Sequence, residues 1–194
     1  MRHTFRSATL LLALLAAARV ASAQATAAFT AEDMLKVASL NVLDVSEDGT
    51  RIAATVRRGI DNPTVDNRRY GDPTYLSPAK VVLQVIDANT GAVDLPFRDT
   101  MVSVRDAAWS RDGKRLALLV AQDGSGAGGF PTTTLHIWDA DRKTLTEVRT
   151  GPDARVAVNS NLAWTPDGSA LVVALRSLEL DRAAAQHVRP RHEL

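Results

Sequence analysis

Apolar residues in this chain fall in short blocks bounded by turn residues, and the blocks recur. Leu116-Ala117-Leu118-Leu119-Val120 is a continuous apolar run, the pattern of a strand buried on both faces. Just before it, Trp109-Ser110-Arg111-Asp112-Gly113-Lys114-Arg115 reads as a strand end, a tight turn and the start of the next strand. Ser110 and Asp112 carry oxygens that hold nearby backbone N–H groups, and Gly113 supplies the positive φ such a turn requires. Val45-Ser46-Glu47-Asp48-Gly49-Thr50-Arg51-Ile52-Ala53-Ala54 aligns with this stretch without gaps. So does Trp164-Thr165-Pro166-Asp167-Gly168-Ser169-Ala170-Leu171-Val172-Val173, where the fixed φ of Pro166 suits a turn corner. A second unit repeats between the turns: Val82-Leu83-Gln84-Val85-Ile86-Asp87-Ala88 matches Thr134-Leu135-His136-Ile137-Trp138-Asp139-Ala140. The turn glycines Gly49 and Gly113 are 64 residues apart and the second units 52, so the first repeat carries an insertion between Val56 and Val82.

The pattern predicts strands near 40–45, 51–58, 81–87, 92–96, 104–109, 114–121, 133–139, 144–149, 160–164 and 170–176. Turn signals separate them: Asp48-Gly49, Asn89-Thr90-Gly91, Asp112-Gly113, Asp141-Arg142-Lys143 and Asp167-Gly168. Four strands in each repeat of about 40–55 residues is the signature of a β-propeller. The expected fold is therefore all-β, an incomplete propeller of about two and a half four-stranded blades. Residues 40–97 and 104–149 make the two full blades, and 160–176 half of a third. Propellers close with about 4–8 blades, so the chain reads as the N-terminal part of a longer protein. One short helix precedes the strands. Thr30 caps it, Glu32 and Asp33 suit its positive end, and Met34, Leu35 and Ala38 give it one apolar side for packing. Residues 177–194 abandon the strand pattern, and 178–188 read as a helix that stops before Pro190.

The first residues change the picture of where the chain works. Arg2 and Arg6 precede an apolar stretch from Ala8 to Ala18, too short to span a bilayer, and Ala21-Ser22-Ala23 forms a small-residue cleavage site. Residues 1–23 are expected to be a signal peptide, with an N-terminal membrane anchor as the competing reading; 24–39 are then a linking segment with the helix, 40–176 the partial propeller and 177–194 the tail. The chain is expected to be exported, periplasmic or secreted, from a bacterium. It has no cysteine, so the fold uses no disulfides. Loss of the three arginines of the signal leaves about 20 basic against 22 acidic residues, which is not the basic footprint of a nucleic-acid binder.

The repeats resemble the TolB-like and WD-type propeller repeats. The combination of signal peptide, Phe29-Thr30-Ala31-Glu32-Asp33-Met34-Leu35 and Val45-Ser46-Glu47-Asp48-Gly49 resembles the opening of exported bacterial serine peptidases of the prolyl oligopeptidase family, of dipeptidyl or acylaminoacyl peptidase type. Arg69-Tyr70-Gly71-Asp72-Pro73-Thr74-Tyr75 in the insertion adds to that likeness, which covers residues 29–176. The resemblance implies a propeller that gates peptide access to a Ser-Asp-His triad on an α/β-hydrolase domain following it. Peptide substrate, or that hydrolase domain, would be its partner. The alternative is a non-enzymatic TolB-like propeller that binds other proteins in the periplasm.

No catalytic residue carries over, because the chain has no Gly-x-Ser-x-Gly elbow. Gly124-Ser125-Gly126 lies in a Gly-rich stretch ending in Phe130-Pro131, which reads as a loop and lacks the Lys and Ser/Thr of a phosphate cradle. His136 sits in a predicted strand as a packed residue. His187 and His192 straddle Pro190, which spoils a shared metal-binding face. No cofactor, metal or membrane span after signal cleavage is expected. The residues singled out are the repeat turns, Asp48, Gly49, Asp112, Gly113, Asp167 and Gly168. Arg68, Arg69, Tyr70 and Tyr75 of the insertion are candidates for a contact loop, with a merely solvated loop as the plainer reading. Trp109, Trp138 and Trp164 are expected between blades.

Overall fold

The computed structural model describes residues 29–58, 79–98, 100–122, 132–180 and 183. The expected signal peptide at 1–23, the insertion with Arg68, Arg69, Tyr70 and Tyr75, the Gly-rich stretch at 123–130 and the histidines 187 and 192 lie outside these residues. The chain divides into two units, residues 1–34 and 35–194. Helix α1 (Ala31–Lys36) starts in the first. Thr30 Oγ1 accepts the Asp33 N–H at 3.2 Å while Asp33 Oδ2 accepts the Thr30 N–H at 3.0 Å, so each side-chain oxygen satisfies the other residue's N–H across the first turn. None of the six helix residues is buried, and Met34 and Leu35 of the expected apolar side are 65% and 50% exposed.

The larger unit is all-β and propeller-like. Strands β1 (Ala38–Val45), β2 (Arg51–Arg58), β3 (Val82–Asp87) and β4 (Val93–Asp94) form one antiparallel sheet in chain order. Strands β5 (Ser103–Trp109), β6 (Arg115–Gln122), β7 (Thr132–Asp139) and β8 (Thr144–Val148) repeat that meander in a second sheet. Each first strand carries one bulge against its second strand, at Leu43 and at Arg105.

Side-chain alternation explains why β6 reads as continuously apolar. Leu116, Leu118 and Val120 join Trp109 and Trp138 against Ala53, Leu83 and Val85 of the first sheet. Leu119, one residue out of phase, points the other way and packs with Leu135 and Val156 against Leu162, Leu171 and Val173. Leu116, Leu118 and Leu119 are all fully buried, each stabilising by about 1.5–3 kcal/mol relative to exposure.

The third repeat departs from the expected half blade. Its hairpin, β10 (Ala163–Trp164) with β11 (Leu171–Val172), holds only the pairs Ala163–Val172 and Trp164–Leu171. The predicted strand at 170–176 divides. Its second half, β12 (Leu175–Ser177), leaves the hairpin and pairs with β9 (Ala154–Val156), a strand that the sequence pattern did not predict. β9 in turn reaches the edge of β7 through Thr133 and Val156 alone. The reason is edge satisfaction: β8 stops at Val148 and leaves the rest of the β7 edge to another strand, and among the described residues no third strand of the last repeat lies beside Leu175 to hold it. Beyond β12, residues 178–180 are helical.

Candidate functional site

The three Asp-Gly turns have one construction. In each, the hydroxyl of Ser46, Ser110 or Thr165 donates to the first carboxylate oxygen of Asp48, Asp112 or Asp167, at 2.6, 2.6 and 2.5 Å. The same hydroxyl oxygen accepts the N–H of Arg51, Arg115 or Ala170, at 2.9, 2.9 and 3.0 Å. The aspartate accepts the N–H two residues on, from Thr50, Lys114 or Ser169. Gly49, Gly113 and Gly168 have φ of 70, 64 and 68°. The Ser46 hydroxyl, followed by the Thr50 N–H and hydroxyl, holds the Asp48 carboxyl down at about 2. Thr165 and Ser169 do the same to Asp167, also about 2, and Ser110 with Lys114 lowers Asp112.

These turns are joined in series by residues that sequence reasoning passed over. Arg51 donates through Nη1 to the carbonyl oxygen of Gly113, the turn glycine of the next repeat, and through Nη2 to Asp141 at 2.8 Å. Arg115, at the equivalent place, donates to the carbonyl oxygen of Gly168 and lies over the Trp164 ring. The third repeat has Ala170 there. On the first strands, Asp44 Oδ2 accepts the Trp109 N–H and Asp106 Oδ2 accepts the Leu162 N–H, each at 2.7 Å. Each of these aspartates follows its bulge residue and turns its other oxygen back onto the next N–H of its own strand. The signal for the arginines was in the sequence, two residues after the turn glycine in two repeats out of three. Asp44 and Asp106 sit at different distances from their turns, so no gapless alignment pairs them.

A cavity of about 450 Å3 opens beside the middle turn, lined by Asp112, Lys114, Arg115, Asp139, Asp141 and Arg142. Its charges balance and several are paired internally: Arg142 holds Asp139 at 2.8 Å and Asp141 takes Arg51. It is a polar seam lined by charged side chains alone, with no Ser, Thr, Cys or His among its lining residues.

His136 is buried in β7, edge-on to Phe97 at 5.5 Å, with Nε2 3.0 Å from Thr134 Oγ1. Burial lowers its pKa, and Glu147 on the neighbouring strand partly opposes the shift. Among the described residues no group of three or more His, Asp or Glu is placed to hold a metal. Of the tryptophans, Trp109 and Trp138 lie in the core between the two sheets, and Trp164 donates from Nε1 to the Ala108 carbonyl at 2.9 Å. No described helix is long and apolar enough to cross a membrane.

No family model and no curated protein matches this chain. Among solved structures, hydrazine synthase of Kuenenia stuttgartiensis is similar, with a TM-score of 0.41 and 14% identity over 75% of this chain. The chain spans 42% of the length of that one. The repeated sheets and their serial arginine and aspartate bonds make the described part of the larger unit a propeller-like array.

Proposed function

We propose that residues 40–176 are the propeller portion of an exported serine peptidase of the prolyl oligopeptidase type, which gates the access of peptides to a hydrolase domain. The observation that supports this reading is the serial fastening of the repeats. Each of the first two repeats holds the next through an arginine on a turn carbonyl and an aspartate on an N–H in, or just before, its first strand. Such fastening gives a stiff scaffold from which loops select what passes. The likeness of Phe29-Thr30-Ala31-Glu32-Asp33-Met34-Leu35 and the first Asp-Gly turn to the opening of that family chooses the peptidase over other propellers. The reaction itself would belong to the hydrolase domain, and this chain alone is expected to be inactive. Acyl transfer needs an activated nucleophile, an oriented base and oxyanion donors. His136, the one histidine among the described residues, is instead packed against Phe97.

The second reading is a TolB-like propeller working by protein contacts, and the uniform Asp-Gly turns favour it equally. The reading frame past Leu194 separates the two. Further Asp-Gly repeats followed by a Gly-x-Ser-x-Gly elbow carry the peptidase; repeats that end without one carry the binding propeller. In a direct assay, the purified chain should neither cleave a chromogenic dipeptide nor label with a fluorophosphonate probe. Stoichiometric labelling of one serine, lost on mutating that serine, would sink the gating assignment.

A further inference from the structure

Among the described residues no sheet packs on the second side of the first sheet, and that side is apolar. Leu40, Val56 and Val82 lie abreast on it across β1, β2 and β3, and Val45, Ile52 and Ile86 form another such row. Between the two rows Ala54 separates Val42 from Gln84, the one polar side chain of the nine. Leu40, Val42 and Val45 are 56, 50 and 45% exposed.

The same side is covered in the second repeat. Counted from the turn glycine, Ile52, Ala54 and Val56 stand where Leu116, Leu118 and Val120 stand there. Those three are fully buried, against Ala53, Leu83 and Val85 of the preceding repeat. The third hairpin carries the matching insert at the other end of the array. Val172 is its equivalent of Ala53, four residues after the turn glycine. Leu171 and Val173 pack toward the second sheet, so Val172 points away from it and is 60% exposed. Its cross-strand partner Ala163 is exposed too, as are Ala170 and Ala174 on the same side of β11, and none of the four is polar.

We propose that the free side of the first sheet binds the third hairpin of a second copy of this chain, head to tail. The pairing repeats a contact that the chain already makes between its own sheets, the side bearing Ala53 against the side bearing Leu116 and Leu118. Face-to-face pairing of two first sheets has no such precedent in the fold. Two head-to-tail contacts close two copies into a ring. Two arrays of about two and a half repeats make about five, inside the 4–8 or so with which propellers close. The contact has no arginine clasp. Ala170 stands where Arg51 and Arg115 stand, and among the described residues no side chain donates to the Gly49 carbonyl. Association thus rests on apolar area and is expected to be reversible at micromolar concentration. The inference rests on the propeller-like array and not on the peptidase reading.

Sedimentation velocity of the purified chain across about 1–100 µM tests this. The chain should pass from monomer to dimer and no further. Val42→Glu and Val172→Glu change exposed positions, so neither should move the thermal midpoint of the monomer at the bottom of that range. Each should weaken dimerisation by about a hundredfold or more, since the contact would bury an unpaired charge. Mixed one to one at the top of the range, the two variants should again form a dimer, because the intact hairpin of the first fits the intact sheet of the second. The chain has no cysteine, so a Val42→Cys copy and a Val172→Cys copy give a second readout. Mild oxidation of their mixture should form the mixed disulfide faster than either homodisulfide. A monomer throughout the range, growth beyond two copies, a dimer that survives Val172→Glu, or two Glu variants that stay monomeric when mixed would each overturn the proposal. So would a Val42→Cys homodisulfide that forms ahead of the mixed one, the mark of face-to-face pairing.

Discussion

The guanidinium of Arg115 lies 4.7 Å from the centre of the Trp164 ring while it donates to the carbonyl oxygen of Gly168, so one side chain fastens the second repeat to both the strand and the turn of the third. A charged donor on a carbonyl contributes about 1.5–3 kcal/mol and a partly desolvated cation over an indole about 0.5–2 kcal/mol. Arg115→Ala should therefore lower stability by about 2 kcal/mol in a urea titration. Arg115→Lys should recover less than half of that, because a lysine lacks the plane that stacks on the ring. Trp164 emission should shift in both variants; an unchanged midpoint in Arg115→Ala would show that the stacking is idle.

Gly113 is fixed by its backbone and not by lack of room. Its φ is 64°, and an added Cβ would approach Ser46 Cβ at 3.4 Å, an ordinary contact. Gly113→Val should cost about 1–3 kcal/mol from the left-handed conformation alone. Gly151 has open space and no positive φ, so Gly151→Ala should stay within about 0.5 kcal/mol. Equal thermal midpoints for the two variants would contradict the turn geometry.

Lys143 occupies a glycine's place. In the first repeat Gly91 sits at φ 72° in the corresponding turn, and Lys143 adopts φ 54°. The left-handed region costs a lysine about 1–2 kcal/mol. Its ammonium is paired with Asp94 at 2.7 Å, but that pair is largely exposed and worth about 0–1 kcal/mol. Lys143→Asn should thus stabilise the protein, by up to about 1 kcal/mol once salt screens the lost pair. Denaturation midpoints at low and high salt would check both the sign and its growth with ionic strength.

Two pH windows follow from the shifted groups. His136 has a lowered pKa in the folded chain, so the unfolded chain binds its proton first as pH falls. Its contribution is fully present above about 6.5 and is lost progressively as pH drops through its folded value. His136→Leu should flatten stability between pH 7.5 and 5, whatever it does to the absolute midpoint. Asp48 and Asp167, held at about 2, contribute above their ordinary carboxylate pKa of 3.8 and lose that contribution as pH falls from there toward 2. Thermal melts across pH 2–8 should show two separate declines in the natural chain and only the acid one in His136→Leu.

The third hairpin should open well before the middle sheet. β10 and β11 share two residue pairs, whereas β6 is paired along its length with both β5 and β7. Amide hydrogen exchange at Trp164 and Leu171 should outpace exchange at Leu118 and Leu119 by orders of magnitude, because local openings require far less free energy than unfolding of the core. Comparable protection would mean that the hairpin is held by more than its two pairs.

The sequence by itself determined whatever is local and repeated. The Ser/Thr-x-Asp-Gly turn closes through bonds among six neighbouring residues, so Asp48, Asp112 and Asp167 and their glycines were legible without any tertiary information. The apolar run of β6 likewise announced a strand covered on both faces. The tertiary structure alone decided how one repeat meets the next. Asp44 and Asp106 read as ordinary strand polar residues until the fold brings the Trp109 and Leu162 N–H groups to them, 65 and 56 residues away. Arg51 and Arg115 were visible as a recurring pair, but their acceptors are backbone carbonyls, which have no sequence signature. The fate of 170–176 was illegible for a related reason. Whether Leu175 extends its own hairpin or crosses to β9 depends on which edge has unpaired backbone groups. That follows from where β8 stops on β7 and not from any property of Leu175 itself.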